Sequence, residues 1–417
     1  MAFGKIPRFS PSFSPAEAVT AFRYLSQNGP NDSVVRKFEK DFASYIGAQH
    51  AVMVPSARYG FYLLLRAFGI QEEDEVVIPG LTYFAIPAMV PLLGAKPVFA
   101  DIGLSSHVLD PEAFRASITE KTKAVVPTHL FGTPCNMEAI CEIAREHGIK
   151  VIEDCAQSTG ASFQGKKVGS WGDAAYYTFG LTKNITTLSG AMVTTDDPDV
   201  AAFIRKEVED GGYSSRRKMA KEALVGLAMF VATHPAIYWA SVHPAVVLGN
   251  KLGKDPIHER FGESERTYEE IPSYYKAQGK PLAVQAAVGM KQLSRIEELN
   301  GARRKNGQSL DVHLSGTQNL LLPTYPEGAE PIYMSFVVHH ENRFQLCEAL
   351  RKRGVDTTVG YMNDMSDHPL FQEYKRTCPN ATKANQELLH IPVHPNLSEA
   401  DVDHLIQAVK EACIEVS

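Results

Sequence analysis

Lys183 stands in "AAYYTFGLTKNITTLSG", in a loop of small and polar residues just past a strand-like run. An amine in that setting could condense with an aldehyde. "VIEDCAQ" sets Asp154 at the end of another such run, with Gln157 three residues on. A carboxylate there could keep a pyridinium nitrogen protonated, which turns the ring into an electron sink. "IPGLTYF" puts Tyr83 beyond a third strand end, where a flat ring could stack on another. "VPSAR" closes a fourth run and opens a helix at Ser56, Ala57 and Arg58; the first N–H groups of a helix bind phosphate. Singly, each has an ordinary explanation: a solvated loop lysine, a turn aspartate, a core tyrosine, a serine N-cap. Jointly they meet the four demands of pyridoxal phosphate.

For the four to meet, their strands must share one edge of one sheet. The first two-thirds of the chain alternates apolar runs with helical patterns. "HAVMV", "EVVIP", "PVFAD", "KAVVP", "KVIED", "AAYYTF" and "AMVTT" read as strands. Helices are expected at 58–68, at about 83–93 and at 136–148, with Gly47, Gly94 and Gly148 as stops. Ser14–Glu17 is expected to form a capping box with Pro15 at the first helical position. This pattern implies a mainly parallel sheet covered on both faces, with ligands beyond its carboxyl ends. From about 275 the pattern restarts. "LAVQAAVGMKQLSRIEELNGARRKNG" predicts one long helix, "IYMSFVVHH" a strand, and 342–354 and 398–413 two further helices. The expected division is a large α/β domain at 1–208, an apolar helical insert at 209–270, and a smaller α+β domain at 271–417.

Apolar residues are 44% and charged residues 22% of the 417, an ordinary globular balance. The net charge of −6 excludes a dedicated nucleic-acid binder, which would be basic over a whole domain. Six scattered cysteines form no zinc-spaced array and read as reduced thiols of a cytoplasmic protein. The first residues carry no apolar core of a secretory signal. The unusual stretch is Ala223–Gly249, which has no Lys, Arg, Asp or Glu. A spanning helix needs about 20 apolar residues in one piece. Pro235 and Pro244 cut this one into two short helices. Arg216, Arg217, Lys218, Lys221, Lys251 and Lys254 flank it. Two roles are expected of it: a hairpin packed on the partner subunit or over the site, or a peripheral contact of 216–254 with the inner membrane surface.

The chain resembles the DegT/DnrJ/EryC1/StrS aminotransferases, fold type I enzymes acting mostly on nucleotide-linked keto sugars. The segments that carry the likeness are "KFEKDFASYIGAQHAVMV", "DEVVIPGLTYFAIPAMVPLLGAKPVFADI", "HLFGTPCNMEAICEIAREHGIKVIEDCAQSTGASFQGKKVGSWGDAAYYTFGLTKN", "VQAAVGMKQLSRIEELNGARR" and "LLHIPVHPNLSEADVDHLI". The resemblance implies that Lys183 carries pyridoxal phosphate as an internal aldimine and moves protons. It implies that Asp154 pairs with the ring nitrogen and Gln157 lies near the phenolic oxygen. It further implies that Tyr83 stacks and that Ser56, Ala57, Arg58 and Thr178 line the phosphate. An amino donor such as glutamate, a keto sugar nucleotide as acceptor, and a homodimer with its site between subunits follow from the same likeness. His129, Tyr361, His368 and His390 fall in segments that face the site in the family, although a lone histidine is more often a structural hydrogen-bonder.

Three departures stand out. The family's Ser-Gly-Thr turn is Ser56-Ala57-Arg58 here, so Arg58 could add a charged phosphate contact. The glycine-rich turn after the lysine is shortened to "TTLSGAM". The family's Asn-x-Arg, offered to the partner's phosphate, is replaced by "AQGKPLAVQAA", leaving Gln278 or Lys280 for that task. Two other readings stand beside transamination: a different pyridoxal phosphate reaction, such as a dehydration or one on a non-sugar or membrane-associated substrate, and a non-catalytic regulator or scaffold. The lysine favours transamination, because related sugar dehydratases carry histidine in its place.

Overall fold

Seven of the expected strands come together in one sheet. The computed structural model describes residues 5–27, 31–246, 279–360 and 362–416. Its strands are β1 (His50–Val54), β2 (Glu75–Pro79), β3 (Lys96–Ala100), β4 (Thr122–Val125), β5 (Lys150–Asp154), β6 (Ala174–Thr178) and β7 (Ala191–Thr195). They lie in the order β1-β7-β6-β5-β4-β2-β3. β7 runs against both its neighbours, and the other pairings are parallel. Consecutive residues such as Val76, Val77 and Ile78 are all buried, as both faces of the sheet are covered.

The helices used below are α1 (Pro15–Leu25), α2 (Asp32–Ile46), α3 (Ala57–Ala67), α4 (Met137–His147), α5 (Pro198–Glu209), α6 (Arg216–Ala232), α7 (Ala283–Leu293), α8 (Ile296–Leu314), α9 (Arg343–Lys352) and α10 (Glu399–Val416). α3, α4 and α5 send Phe61, Leu64, Ile140 and Ile204 into one core. α2 and α7 cover the opposite face with Phe38, Phe42 and Ala286 around Tyr177 and Phe179. A separate core joins α8, α9 and α10 to an antiparallel pair, β8 (Phe336–His339) and β9 (Leu388–Ile391).

Local chemistry explains most boundaries. The Ser14 N–H donates to Glu17 at 2.9 Å and its Oγ accepts from Ala16, with Pro15 first in α1. Gly47 and Gly148 end α2 and α4 at φ of 89° and 66°, where a Cβ is disfavoured. Elsewhere the structure corrects the expectation. Residues 87–93 form a 3₁₀ turn around Pro91 instead of a full helix over 83–93. The long helix breaks between α7 and α8, because Arg295 leaves helical angles while its guanidinium reaches the Ser12 carbonyl and Glu17. The strand expected at 332–340 is confined to 336–339: Tyr333 has φ of 49° and the Ile332 N–H bonds Gly132.

The apolar limb is two helical pieces divided ahead of Pro235, while Pro244, expected to cut the chain as well, lies within the second piece. α6 stops at Ala232, and the chain bends by 72° into Pro235–Val246. Among the described residues no single helix is long and apolar enough to cross a membrane. Met219, Ala223, Gly226 and Met229 form the inner face of α6, in a core that includes Phe13 and Leu181. A Cβ added at Gly226 would come within 2.8 Å of the Phe13 ring. Beyond the bend, Tyr238 donates to buried Asp356 at 2.9 Å, and Arg8 donates to the same carboxylate at 2.8 and 2.9 Å. The N-terminal segment thereby ties the limb to the smaller domain, where Ile6 pairs with Val355.

Candidate active site

Register brings the expected residues to one edge. Val54 lies opposite Ala191, which lies opposite Thr178, so the ends of β1 and β6 flank the start of β7. Asp154 pairs with Tyr176 on the next strand. Ser56 follows β1 and caps α3: its Oγ accepts from the Tyr59 N–H at 3.3 Å, and its carbonyl accepts the first helical bond, from Gly60, at 2.9 Å. The N–H groups of Ala57 and Arg58 lie ahead of that bond, at the positive end of the helix. A Cβ at Gly60 would meet Val193 at 2.9 Å, so α3 lies tight against β7 and its first turn is fixed at the strand ends.

Lys183 is held by its backbone. Its N–H bonds the Gly180 carbonyl at 3.1 Å, and its carbonyl accepts from Ser12 at 3.4 Å. Next to it, Asn184 donates to the Thr159 carbonyl at 2.7 Å and to Asn300 at 3.2 Å, and Asn300 donates to the same Thr159 carbonyl at 3.0 Å. This three-way lock joins the lysine loop, the turn after β5 and α8. No short-range motif announces it, because Asn300 lies 116 residues from Asn184.

The electrostatics suit a ligand that is both cationic and carbonyl-bearing. Burial pushes the Asp154 carboxyl up, against opposing pulls from the Ala156 N–H, the Tyr176 hydroxyl and Lys183. Burial likewise pushes the Lys183 amine down, with Asp154 pulling it back. Lys183 keeps some access to solvent, yet protein surrounds it closely enough for burial to dominate. The two residues feel each other but form no ion pair within 4 Å. The Asp154 side chain has one well-formed hydrogen bond, from Ala156 at 2.9 Å. The buried Tyr176 hydroxyl faces it without bond geometry, and Thr128 Oγ1, in the residue bridged to Asp154, is also unpartnered. Charge and hydrogen-bonding capacity are therefore left over at this edge, and the residues fit pyridoxal phosphate.

The remaining expectations divide. Gln157 Oε1 accepts from the Phe131 N–H at 3.0 Å, fixing a residue at φ of 57° beside the edge. Tyr83 is half-buried, its ring centroid 5.1 Å from that of Phe84. Arg58 and Thr178 are half-buried at the same edge. His129 is a structural hydrogen-bonder, the ordinary role of a lone histidine. It is fully buried, its Nδ1 accepts from the Cys135 N–H at 3.0 Å, and its Nε2 donates to Glu153 at 3.0 Å. Glu153 also accepts from the Gly169, Trp171 and Gly172 N–H groups at 2.7–2.8 Å, making it the anchor of the following loop. His368 caps a short turn through the Leu370 N–H. His390 bonds Ser335 at 2.8 Å and packs edge-on to Phe131, and burial pushes its imidazole down to about 3. Lys280 is engaged by Asp32 at 2.7 Å. Gln278 and Tyr361 lie outside the described residues.

A doubly wound sheet with lysine, carboxylate and helix N-terminus at its carboxyl edge, joined to a smaller α+β domain, defines a fold type I pyridoxal phosphate enzyme. The family model for the DegT/DnrJ/EryC1/StrS aminotransferase family matches residues 16–241 and 261–410, and the chain belongs to that family. It is a pyridoxal phosphate-dependent aminotransferase. The chain is 31% identical over 389 residues to the spore coat polysaccharide biosynthesis protein SpsC of Bacillus subtilis, covering 90% of this chain and 89% of that one. It is 30% identical over 394 residues to the GDP-perosamine synthase of Caulobacter vibrioides, covering 91% and 90%. The solved structure of DesV from S. venezuelae, in complex with a ketimine intermediate, superposes with a TM-score of 0.74 at 26% identity, over 96% and 94% of the two chains. The matched stretches leave 242–260 between them, so the family match continues through all of α6.

Proposed function

We propose that this aminotransferase moves an amino group from an amino acid, glutamate in the first instance, to the keto group of a nucleotide-linked sugar. The observation that carries it is the Lys183–Asp154 edge: an amine and a carboxylate converge at the strand ends, both opposed by burial and neither neutralised by an ion pair. Kinship to a GDP-perosamine synthase supports an amino sugar as product.

Pyridoxal phosphate, when bound, supplies the electron sink that makes the donor's α-proton labile. Lys183 would hold the cofactor through its amine. The Lys183 Nζ, when free, would take a proton as general base and give it back as general acid. Burial lowers the affinity of Nζ for protons, which favours the free amine as a base. Asp154 would hold the ring nitrogen cationic, and Gln157 would orient the ring from the phenolic side. Tyr83 would stack on it. Ser56, Ala57, Arg58 and Thr178 would receive the phosphate, with Gln278 as a candidate from the partner subunit of a homodimer. Ser12, Asn184 and Asn300 keep the lysine loop in place.

The test is a pair of half-reactions followed at the cofactor absorbance. Glutamate should convert the loaded enzyme to its aminated form, and one member of a nucleotide keto-sugar panel should restore it. Conversion by glutamate with no restoration by any keto sugar would overturn the acceptor class. No conversion by any amino acid would overturn the roles given to Lys183 and Asp154.

A further inference from the structure

The outer face of the limb lacks the chemistry of a water-facing surface. On α6, Arg217, Lys221, Leu224, Ala228 and Val231 follow one another at helical spacing and are all exposed. The stripe starts basic and becomes wholly apolar, with Leu224 57% and Val231 45% exposed. After the bend, Ile237 and Trp239 continue it at 39% and 49%. From Ala223 to Val246 no side chain carries a formal charge at neutral pH, histidines taken as neutral. A helix on the surface of a soluble protein turns a polar face outward. Here the inner face is already packed on Phe13 and Leu181, and the outer face is apolar too.

Positive charge borders this patch at both ends. Arg217 and Lys218 are exposed at the start of α6, with Lys221 one turn on, and none of the three makes an ion pair among the described residues. Arg216, in contrast, is bound by the carbonyls of Leu25 and Gln27 and pins the helix to the body. At the far end the Lys5 amine lies 5.5 Å from the centroid of the Trp239 ring.

We infer that this limb docks on the surface of an anionic bilayer. Leu224, Val231, Ile237 and Trp239 would enter the acyl boundary, and Arg217, Lys218, Lys221 and Lys5 would meet lipid phosphates. Tryptophan beside apolar side chains and flanking lysines suits that depth. The 72° bend favours shallow insertion over spanning. A protein partner of ordinary composition would look for about one hydrogen bond per 100–200 Å² of contact. Leu224, Ala228 and Val231 offer no side-chain donor or acceptor, and a lipid surface needs none.

The experiment is flotation of the loaded, full-length enzyme with vesicles of phosphatidylcholine alone, or of equal parts phosphatidylcholine and phosphatidylglycerol. Wild type should float with the anionic vesicles and stay behind with the neutral ones. R217Q/K218Q/K221Q should lower the partition by about fivefold for each charge removed. L224S/V231S/W239S should abolish flotation while the glutamate half-reaction and oligomeric state stay as in wild type. No flotation with anionic vesicles at low salt would overturn the proposal. So would a triple serine variant that still floats but falls apart into smaller species, because the face would then belong between copies of the chain. The half-reaction is read separately, so the docking and the catalytic assignment can fail independently.

Discussion

The lysine edge and the apolar limb handle burial in opposite ways. At the edge, charged groups are drawn inside and left without ion pairs, so that a ligand completes them. On the limb, apolar groups are left outside and the charges are kept to the ends. Both depart from the usual rule of apolar inside and charge paired or wet. The edge is rigid, locked by Ser12, Asn184 and Asn300. Among the described residues, α6 is packed on one face, against Phe13 and Leu181. A protein tolerates such departures where the missing partner is a ligand or a surface.

Substitutions should separate the two regions, beginning with the largest effect. Lys183→Ala should abolish turnover and the visible absorbance of the bound cofactor, measured by half-reaction and spectrum. Asp154→Asn should lower the half-reaction rate by about two to three orders of magnitude, the scale of losing one preorganised electrostatic contact; single-turnover kinetics would read it. Neither should unfold the protein. In the cofactor-free protein, Lys183→Met should raise stability at neutral pH. Folding lowers the Lys183 pKa below its usual 10.5, so the charged amine opposes the folded state. That opposition fades as pH rises towards 10.5, and the advantage of Lys183→Met should shrink with it. Melting curves at pH 7 and pH 10 would measure both.

The limb should sort by face. Gly226→Val drives side-chain atoms into Phe13 and Leu181 and should cost about 1–3 kcal/mol in denaturant unfolding. Leu224→Ser, on the outer face of the same helix, should stay within about 0.5 kcal/mol of wild type. Equal losses at the two positions would mean that the outer face is covered in the folded protein and would erase the contrast.

Much of this was legible in advance, for stated reasons. Strand runs were clear because a sheet covered on both faces needs continuous apolar residues, as in Val76–Ile78. The sequence brings Lys183 and Asp154 to one edge because Asp154 ends such a run and Lys183 stands in the loop after another. The break in the limb was clear because Pro235 is a local instruction, whereas Pro244, also expected to cut the chain, lies inside the second helical piece. The split between α7 and α8 was not, because it depends on Arg295 reaching Ser12 and Glu17 far back in the chain. The Asn184–Asn300–Thr159 lock was hidden for the same reason. For His129 the ordinary expectation of a structural hydrogen-bonder describes the ring, which bonds Glu153 and the Cys135 N–H.

The N-terminal segment has a further role, as a leash. At one end Ile6 pairs with Val355 of the smaller domain; at the other Ser12 bonds the carbonyl of Lys183. Six peptide steps separate those points, so they cannot part by more than about 21 Å even fully stretched. While both contacts hold, any opening between the smaller domain and the Lys183 loop is bounded by that length.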